Sequence, residues 1–557
     1  MRLPGWMPRS VLTFAEGYDA AAFTADLIAG VTVGLVALPL AMAFAIASGL
    51  TPQAGIYCAV VTGFIISALG GSRFQIGGPT GAFVVVVSGI VSQYGIDGLF
   101  MCTLMAGVML MLMGLTGTGT AVKYIPRPVI IGFTNGIALV IASTQLRDFL
   151  GLTVEVPGEF IERIEVIAAR AGSTSADSLA LGAGTLVLLI LWSRYVKRIP
   201  AYIVALFAGT AAAAALQLDV ATIGSRFGGI PSGLPSFHVP VFRPELVLTL
   251  LSPAVTVAML GAIESLLSAV VADRMGGDRH NPNTELFAQG VANIVSPMFG
   301  GLPATGALAR TATNIRSGAR SPVAGIIHAL TLLGVLLFGA RLAAFVPLPV
   351  LAAILFVVAW NMGEWLEIGE VFRQSYADIL VWTATFSLTV LADLTVAVEV
   401  GMVLAALLFI RRVASTTTVS RVTDAYIEAG RPHILQDKII PPYVAIFRIH
   451  GPFLFGGTDK LREISDHAAE LPPVVVLRLR NMTAIDATGI SAIEELADEL
   501  KAKGRTLVLC GAPRQPQAAL QKAEFHERLG EANICESVQA ALDRAAALVG
   551  NKEKAGA

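Results

Sequence analysis

Between Leu27 and Val122 the only Asp, Glu, Lys or Arg side chains are Arg73 and Asp97. A soluble domain has one core in which to hide apolar residues, and no single core hides a run of this length. Several membrane spans of about 20 residues each do. Over all 557 residues, 55% are hydrophobic and 14% charged, and the mean hydropathy of +0.71 lies outside the soluble range. The pattern predicts a polytopic α-helical membrane protein. Apolar sequence begins near Leu27 and simply continues, without the short core and small-residue cleavage site of a signal peptide, so the first segment is expected to stay attached as a span.

Apolar segments recur at roughly 24–48, 52–69, 79–94, 98–115, 125–146, 178–192, 200–217, 245–272, 284–299, 303–315, 321–339, 346–360, 377–395 and 397–410, about fourteen in all. An even number puts both ends on one side, and basic residues choose the side. With the N-terminus inside, the inner loops receive Lys123, Arg127, Arg194, Lys197, Arg198, Arg274, Arg279, Arg316, Arg320, Arg411 and Arg412. The outer loops receive fewer, chiefly Arg147, Arg163, Arg170, Arg226, Arg243 and Arg341. Both termini are expected to be cytoplasmic, in a bacterial inner membrane.

Composition changes near Arg411, dividing the chain into a transmembrane domain (1–413), a polar linker (414–437), a soluble domain (438–550) and a tail (551–557). In the soluble part, 443–451, 474–480 and 506–512 read as strands and 487–504 as an amphipathic helix closed by Gly504, which predicts a small α/β domain with a mixed sheet. Cys58, Cys102, Cys510 and Cys535 show neither pairing nor metal-ligand spacing and are expected to pack; no metal site or cofactor is expected. The net charge of -1 argues against a nucleic-acid partner.

Two stretches carry the functional signal. GGPTGAF (77–83) and GGLPATGALART (300–311) each combine Gly-Gly, Pro and Thr-Gly-Ala beside apolar sequence, once in each half of the membrane domain. Interrupted segments at corresponding places mark inverted-repeat transporters. With about seven segments per half, an odd number, the second copy enters upside down. Each interrupted segment starts a helix partway into the membrane, so two N-termini face each other, each with unpaired N–H groups and roughly +0.5 charge. Together they make an anion site.

Arg310 follows the second stretch. An arginine in a span costs roughly 2.5–3.5 kcal/mol and usually faces a partner or a wet cavity. The bound anion is one partner; snorkelling to the interface or a permanent pair with Glu264 are the others. Glu264, in VTVAMLGAIESLLSAVVADRM, has apolar or small residues on both sides. Burial disfavours a charged carboxylate, which suits proton coupling or a structural hydrogen bond. Asp393 and Glu399 lie near segment ends, where solvent accounts for them.

AGVTVGLVALPLAMAFAIASGL (29–50), GGSRFQIGGPTGAF (70–83), IPRPVIIGFTNGIAL (125–139) and GALARTATNIRSGARSP (306–322), ahead of a soluble domain, resemble the sulfate permease (SulP) family over nearly the whole chain. The resemblance implies a seven-plus-seven inverted repeat, a core domain moving like an elevator against a gate domain, and a homodimer. It places the anion at Thr80, Gly81, Leu308, Ala309 and Arg310, with Leu40 and Phe44 lining the pocket and Glu264 at the acidic position associated with proton or sodium coupling. Many animal members carry glutamine where this chain has Leu40. The tail resembles a STAS domain whose signature loop is Asp486–Gly489; Thr488 holds the position phosphorylated in soluble relatives, and Asp486 and Thr488 also suit helix capping. The tail is expected to serve dimer assembly or docking of cytoplasmic regulators.

The expected function is secondary active anion transport, by proton symport, with sulfate, bicarbonate or a small dicarboxylate as substrate. Sodium coupling, chloride/bicarbonate exchange, an uncoupled channel and an anion-binding sensor or scaffold are the alternatives. His280 and His328 have no Cys, Ser or carboxylate arrangement for catalysis, and no GxxxxGK[ST] motif points to ATP-driven pumping.

Overall fold

The computed structural model describes residues 7–118, 126–196, 199–230, 233–392, 394–422 and 440–555. Lys123, Lys197, Arg198, Asp393 and linker residues 423–437 lie outside the described residues. The chain divides into two compact units, Met1–Ala405 and Ala406–Ala557.

In the first unit a short α1 (Arg9–Gly17) precedes α2 (Ala20–Ala47), α3 (Pro52–Leu69), β1 (Gly77–Gly78), α4 (Gly81–Thr116), α5 (Arg127–Leu150), α6 (Phe160–Ala169), α7 (Ala176–Tyr195) and α8 (Ala201–Ala215). After α9 (Ile223–Phe227) come α10 (Val247–Gly276), α11 (Pro282–Val295), β2 (Thr305–Gly306), α12 (Leu308–Arg316), α13 (Val323–Gly334), α14 (Ala340–Ala343), α15 (Leu348–Met362), α16 (Trp365–Phe372) and α17 (Tyr376–Leu391), and the division between the units falls within α18 (Leu394–Thr416). Among the described residues eight helices are long and apolar enough to cross a membrane. The other expected segments are shorter helices, the 23-residue α18, or the second arm of α4, which breaks at Gly95 (φ 71°, ψ -174°). The apolar segments expected at 79–94 and 98–115 are those two arms.

The helices sort into two bodies. One holds α2, α3, α4, α10, α11, α12 and α13; the other is built on α5, α7, α8, α15 and α17. Partners obey the repeat: α4 packs on α11 as α13 packs on α3, α2 meets α13 as α10 meets α4, and α5 meets α17 as α15 meets α7. Helix starts repeat as well. Pro52 and Pro282 open α3 and α11, and IPRPV and VPLPV open α5 and α15 with prolines at the cap and the second position, where a missing N–H is harmless. This second sequence repeat lies outside the Gly-Pro stretches that first suggested the symmetry.

Loops segregate as alternate crossings require. Arg9 pairs with Asp278 and Arg127 with Glu367, both contacts joining expected inner loops. Asp148 pairs with Arg226 and Asp97 with Arg243, joining outer ones. Near the N-terminal end of α2, Asp26, fully buried, accepts hydrogen bonds from the backbone of Arg320 (2.6 Å) and Ser321 (3.1 Å) and from the hydroxyls of Ser321 and Tyr18. It therefore clamps the α12–α13 loop.

The second unit is a five-stranded sheet in the order β3 (Thr418–Arg421), β4 (Val444–Phe453), β5 (Val474–Ile485), β6 (Thr506–Cys510) and β7 (Ile534–Cys535). β3 is antiparallel to β4 and the remaining pairs are parallel. One face is covered by α19 (Asp459–Asp466), α20 (Ala487–Ala502), α21 (Arg514–Lys522) and the start of α22 (Phe525–Leu529), the other by α23 (Val538–Ala555). The sheet takes its first strand from residues that composition assigns to the linker. β3 is short and polar enough to read as linker until β4 supplies its hydrogen bonds.

Replacing Asp26 with Ala should strand two buried backbone N–H groups and lower stability by about 3 kcal/mol. Fluorescence-detected size-exclusion thermal melts of wild type and variant would read this as a lower Tm; an unchanged Tm would mean the clamp contributes nothing.

Candidate functional site

β1 and β2 pair antiparallel, Gly77 with Gly306 and Gly78 with Thr305. This two-rung ribbon joins the halves in the middle of the first helix body. From it α4 and α12 start, with Thr80 and Ala307 at their N-caps, and neither N-cap side chain bonds its helix. Two helix N-termini thus stand uncapped inside an apolar body, where unpaired N–H groups are expensive.

The ribbon also corrects the motif alignment. Thr80-Gly81-Ala82 is the N-cap and first two residues of α4, whereas Thr305-Gly306-Ala307 is strand and N-cap. The matching tripeptides are two residues out of structural register, although the interruptions themselves correspond.

One face of α10 organises the crossing. Thr80 donates its hydroxyl to Glu264 Oε2 at 2.7 Å. On the next residue, Ser265 Oγ lies 2.7 Å from Thr305 Oγ1 and accepts from Gly306 N at 3.2 Å. Thr305 Oγ1 also donates to the Gly261 carbonyl (2.9 Å), and Ser268 Oγ donates to Thr311 Oγ1 (3.2 Å), which accepts from Ile76 N (3.1 Å). Positions 261, 264, 265 and 268 share a helix face. Glu264 was legible from sequence as an intramembrane charge; Ser265 and Ser268 were not, because serine is common in such helices.

Arg310 is 2% exposed. Its Nη2 donates to the Pro79 carbonyl, so it reaches from the second half's helix into the first half's loop. Nη1 is buried without a hydrogen-bond partner. The arginine therefore does not snorkel, and among the described residues it makes no ion pair with Glu264. Gly78 leaves room for it: a Cβ there would lie 2.3 Å from Nη1. At φ +151° Gly78 also adopts a backbone conformation that side chains disfavour.

The other expected residues divide. Gly81 is buried beside Phe44, Ile141 and Met362: a Cβ built on it would lie 3.4, 3.3 and 3.1 Å from their nearest atoms. Phe44 is 5% and Leu40 4% exposed, both in the apolar core. Leu308 is 49% exposed and Ala309 exposed too. First-turn side chains splay outward, so what α12 can offer an anion at these positions is backbone N–H. Thr488 is exposed at the second position of α20; Asp486 alone caps that helix, accepting from Gly489 N at 2.8 Å.

Two cavities border the helices around the site, and none of the ribbon residues lines either. One of about 1690 Å³ lies between the helix bodies, reaching Thr313 and Arg316 on α12, Thr32 on α2, Tyr202 on α8 and Trp360 and Asn361 on α15. The other, about 50 Å³, places Glu264 against Val129, Phe133, Leu260, Leu267 and Met402. Thr134 is the other polar residue in that mostly apolar lining, and among the described residues Glu264 has no salt-bridge partner.

An internal two-fold, two bodies with a cavity between them and paired half-helices in the membrane define a multi-pass membrane transport protein of the inverted-repeat type. The Sulfate permease family profile matches residues 23–385, and the STAS domain profile residues 436–541. YvdB of Bacillus subtilis, named for sulfate transport, is 41% identical over 519 residues, covering 93% of this chain and 96% of that protein. The bicarbonate transporter BicA of Synechocystis is 32% identical over 544 residues, 95% of each. A solved BicA transmembrane domain aligns with TM-score 0.63 at 36% identity, over 68% of this chain and 98% of that one. SLC26A9 aligns with TM-score 0.87 at 18% identity, over 99% and 94%, a likeness of fold. The chain belongs to the sulfate permease family. Its membrane body is a transporter, not an enzyme, and its soluble unit is a STAS domain.

Gly78→Ala should displace Arg310 while leaving the hydrophobic body intact. Anion affinity, measured by microscale thermophoresis on protein that still elutes as a single species, should fall at least about tenfold, the loss of one charge-assisted hydrogen bond. Wild-type affinity would remove Arg310 from the site.

Proposed function

We infer that this protein is a secondary active anion transporter, a proton symporter in which the body carrying α2–α4 and α10–α13 moves like an elevator against the body built on α5 and α15. The anion binds between the N-termini of α4 and α12, contacted by N–H groups at Gly81, Leu308 and Ala309 and by the Arg310 guanidinium, with Phe44 and Leu40 behind it. Sulfate, bicarbonate and small dicarboxylates are the substrate class; relatives are named for the first two.

The observation that carries this reading is the hydrogen bond from Thr80, the N-cap of α4, to Glu264. A carboxylate there repels an anion arriving at the same helix end, and its other side faces the apolar crevice. A proton on Glu264 removes the repulsion and the unpaired charge together. Anion and proton then each favour the other's binding, a reciprocal coupling. The same oxygens, Glu264 Oε2 and Thr80 Oγ1, suit a sodium ion as the alternative coupling ion. The basic inner loops support cytoplasmic termini in a bacterial inner membrane. Homodimer formation, docking of regulators on the STAS domain and phosphorylation at Thr488 belong to the same reading.

Proteoliposomes given radiolabelled sulfate, bicarbonate or succinate, each with and without an inward proton gradient, test it. One solute should accumulate only with the gradient; accumulation driven by sodium alone, or none, would replace proton symport with the sodium or exchanger reading. Glu264→Gln should retain anion binding and lose gradient-driven accumulation, while Arg310→Ala should lose binding by roughly tenfold or more. A Glu264→Gln protein that still concentrates substrate would remove Glu264 from coupling.

A further inference from the structure

The cysteines of the STAS domain are far apart in sequence, but β6 and β7 bring two of them together. These strands are parallel, with Leu509 opposite Ile534 and Cys510 opposite Cys535. Register partners in a parallel pair project to the same sheet face, and neighbouring strands lie about 4.8 Å apart. That spacing falls inside the 4.4–6.8 Å Cα window of disulfides, roughly. Burial agrees on the face: Leu507 and Leu509 point into the α20 side, while Val508 and Cys510 join Val538, Ala541 and Ala545 beneath α23, where Cys535 packs as well. Both thiols are free. β7 has only two residues and ends the sheet, so it can draw toward β6 without breaking a further ladder.

We propose that Cys510 and Cys535 are a reversible dithiol–disulfide pair, a modification site of the STAS domain for oxidants of the hydroperoxide class. Cys535 is partly exposed and Cys510 buried, which sets the order of events. The Cys535 thiol gives up its proton, the thiolate attacks one oxygen of hydrogen peroxide, the O–O bond breaks, and the departing hydroxide takes up that proton, leaving a sulfenic acid and one water. Cys510 sulfur then attacks the sulfenic sulfur, its thiol proton leaves with the displaced hydroxide as a second water, and the S–S bond closes. Two thiols lose two electrons and two protons, and one peroxide becomes two waters. Burial pushes the Cys510 thiol up to about 12 and raises that of Cys535, so the pair resists weak oxidants, as thiolate is the reactive form. The bond would close the segment holding α21 and α22 into a loop and fasten the start of α23, through β7, to the sheet.

The test uses full-length protein in membranes, exposed to hydrogen peroxide, alkylated with N-ethylmaleimide, denatured and mapped by mass spectrometry without reduction. The expected result is one cross-linked peptide pair joining Cys510 to Cys535 within a single chain, lighter by two hydrogens and reversed by dithiothreitol. Cys535→Ser should abolish it and leave Cys510 alkylated after denaturation, and Cys510→Ser should trap Cys535 as sulfenic acid, captured by dimedone. Sulfinic acid at Cys535 in the wild type with Cys510 still reduced, a bond between two chains, or both thiols unchanged after peroxide exposure prolonged well beyond that which fully oxidises added glutathione would each overturn the proposal.

Discussion

Two helix N-termini facing each other inside an apolar body are the constraint on which the rest of this membrane unit depends. Each end presents unpaired N–H groups and positive partial charge, and neither is relieved by its own N-cap. Both are steadied from outside. The β1–β2 ribbon fixes their starting points, α10 grips each loop through Glu264 and Ser265, and Arg310 adds its charge to that electropositive centre while tied to the Pro79 carbonyl.

The constraint also explains where this unit is tight and where it is loose. The body around the ribbon is knit by side-chain to backbone bonds such as those of Asp26 to the α12–α13 loop and of Glu285 to Gly71 and Ser72. Between this body and the one built on α5 and α15 lies the large cavity, and the contacts closing over Gly81 are the flexible tips of Ile141 and Met362. Apolar tips exchange partners at little loss, whereas the buried polar bonds within the ribbon body do not.

Much of this was legible in advance because apolar runs and helix breakers act locally. The segment positions, the break that divides α4, the interruptions before α4 and α12, and the intramembrane Glu264 all follow from hydropathy, proline and glycine. The misreadings share one cause. The Thr-Gly-Ala tripeptides look equivalent but differ by two residues in role; β3 reads as linker; Cys510 and Cys535 look unrelated. In each case the deciding partner is remote in the chain: β2 for β1, β4 for β3, β6 for β7.

By itself, then, the amino-acid sequence determined a polytopic membrane body of two inverted halves followed by a small α/β domain, because segment length, hydrophobic period and breaker residues act over neighbouring positions. Only the tertiary structure decided that Arg310 binds the opposite half's loop with one nitrogen left unpaired, that Glu264 answers Thr80, and that two distant cysteines share a register. Those outcomes depend on which helix and strand faces meet once the halves interlock, and the chain encodes that through packing spread over many residues.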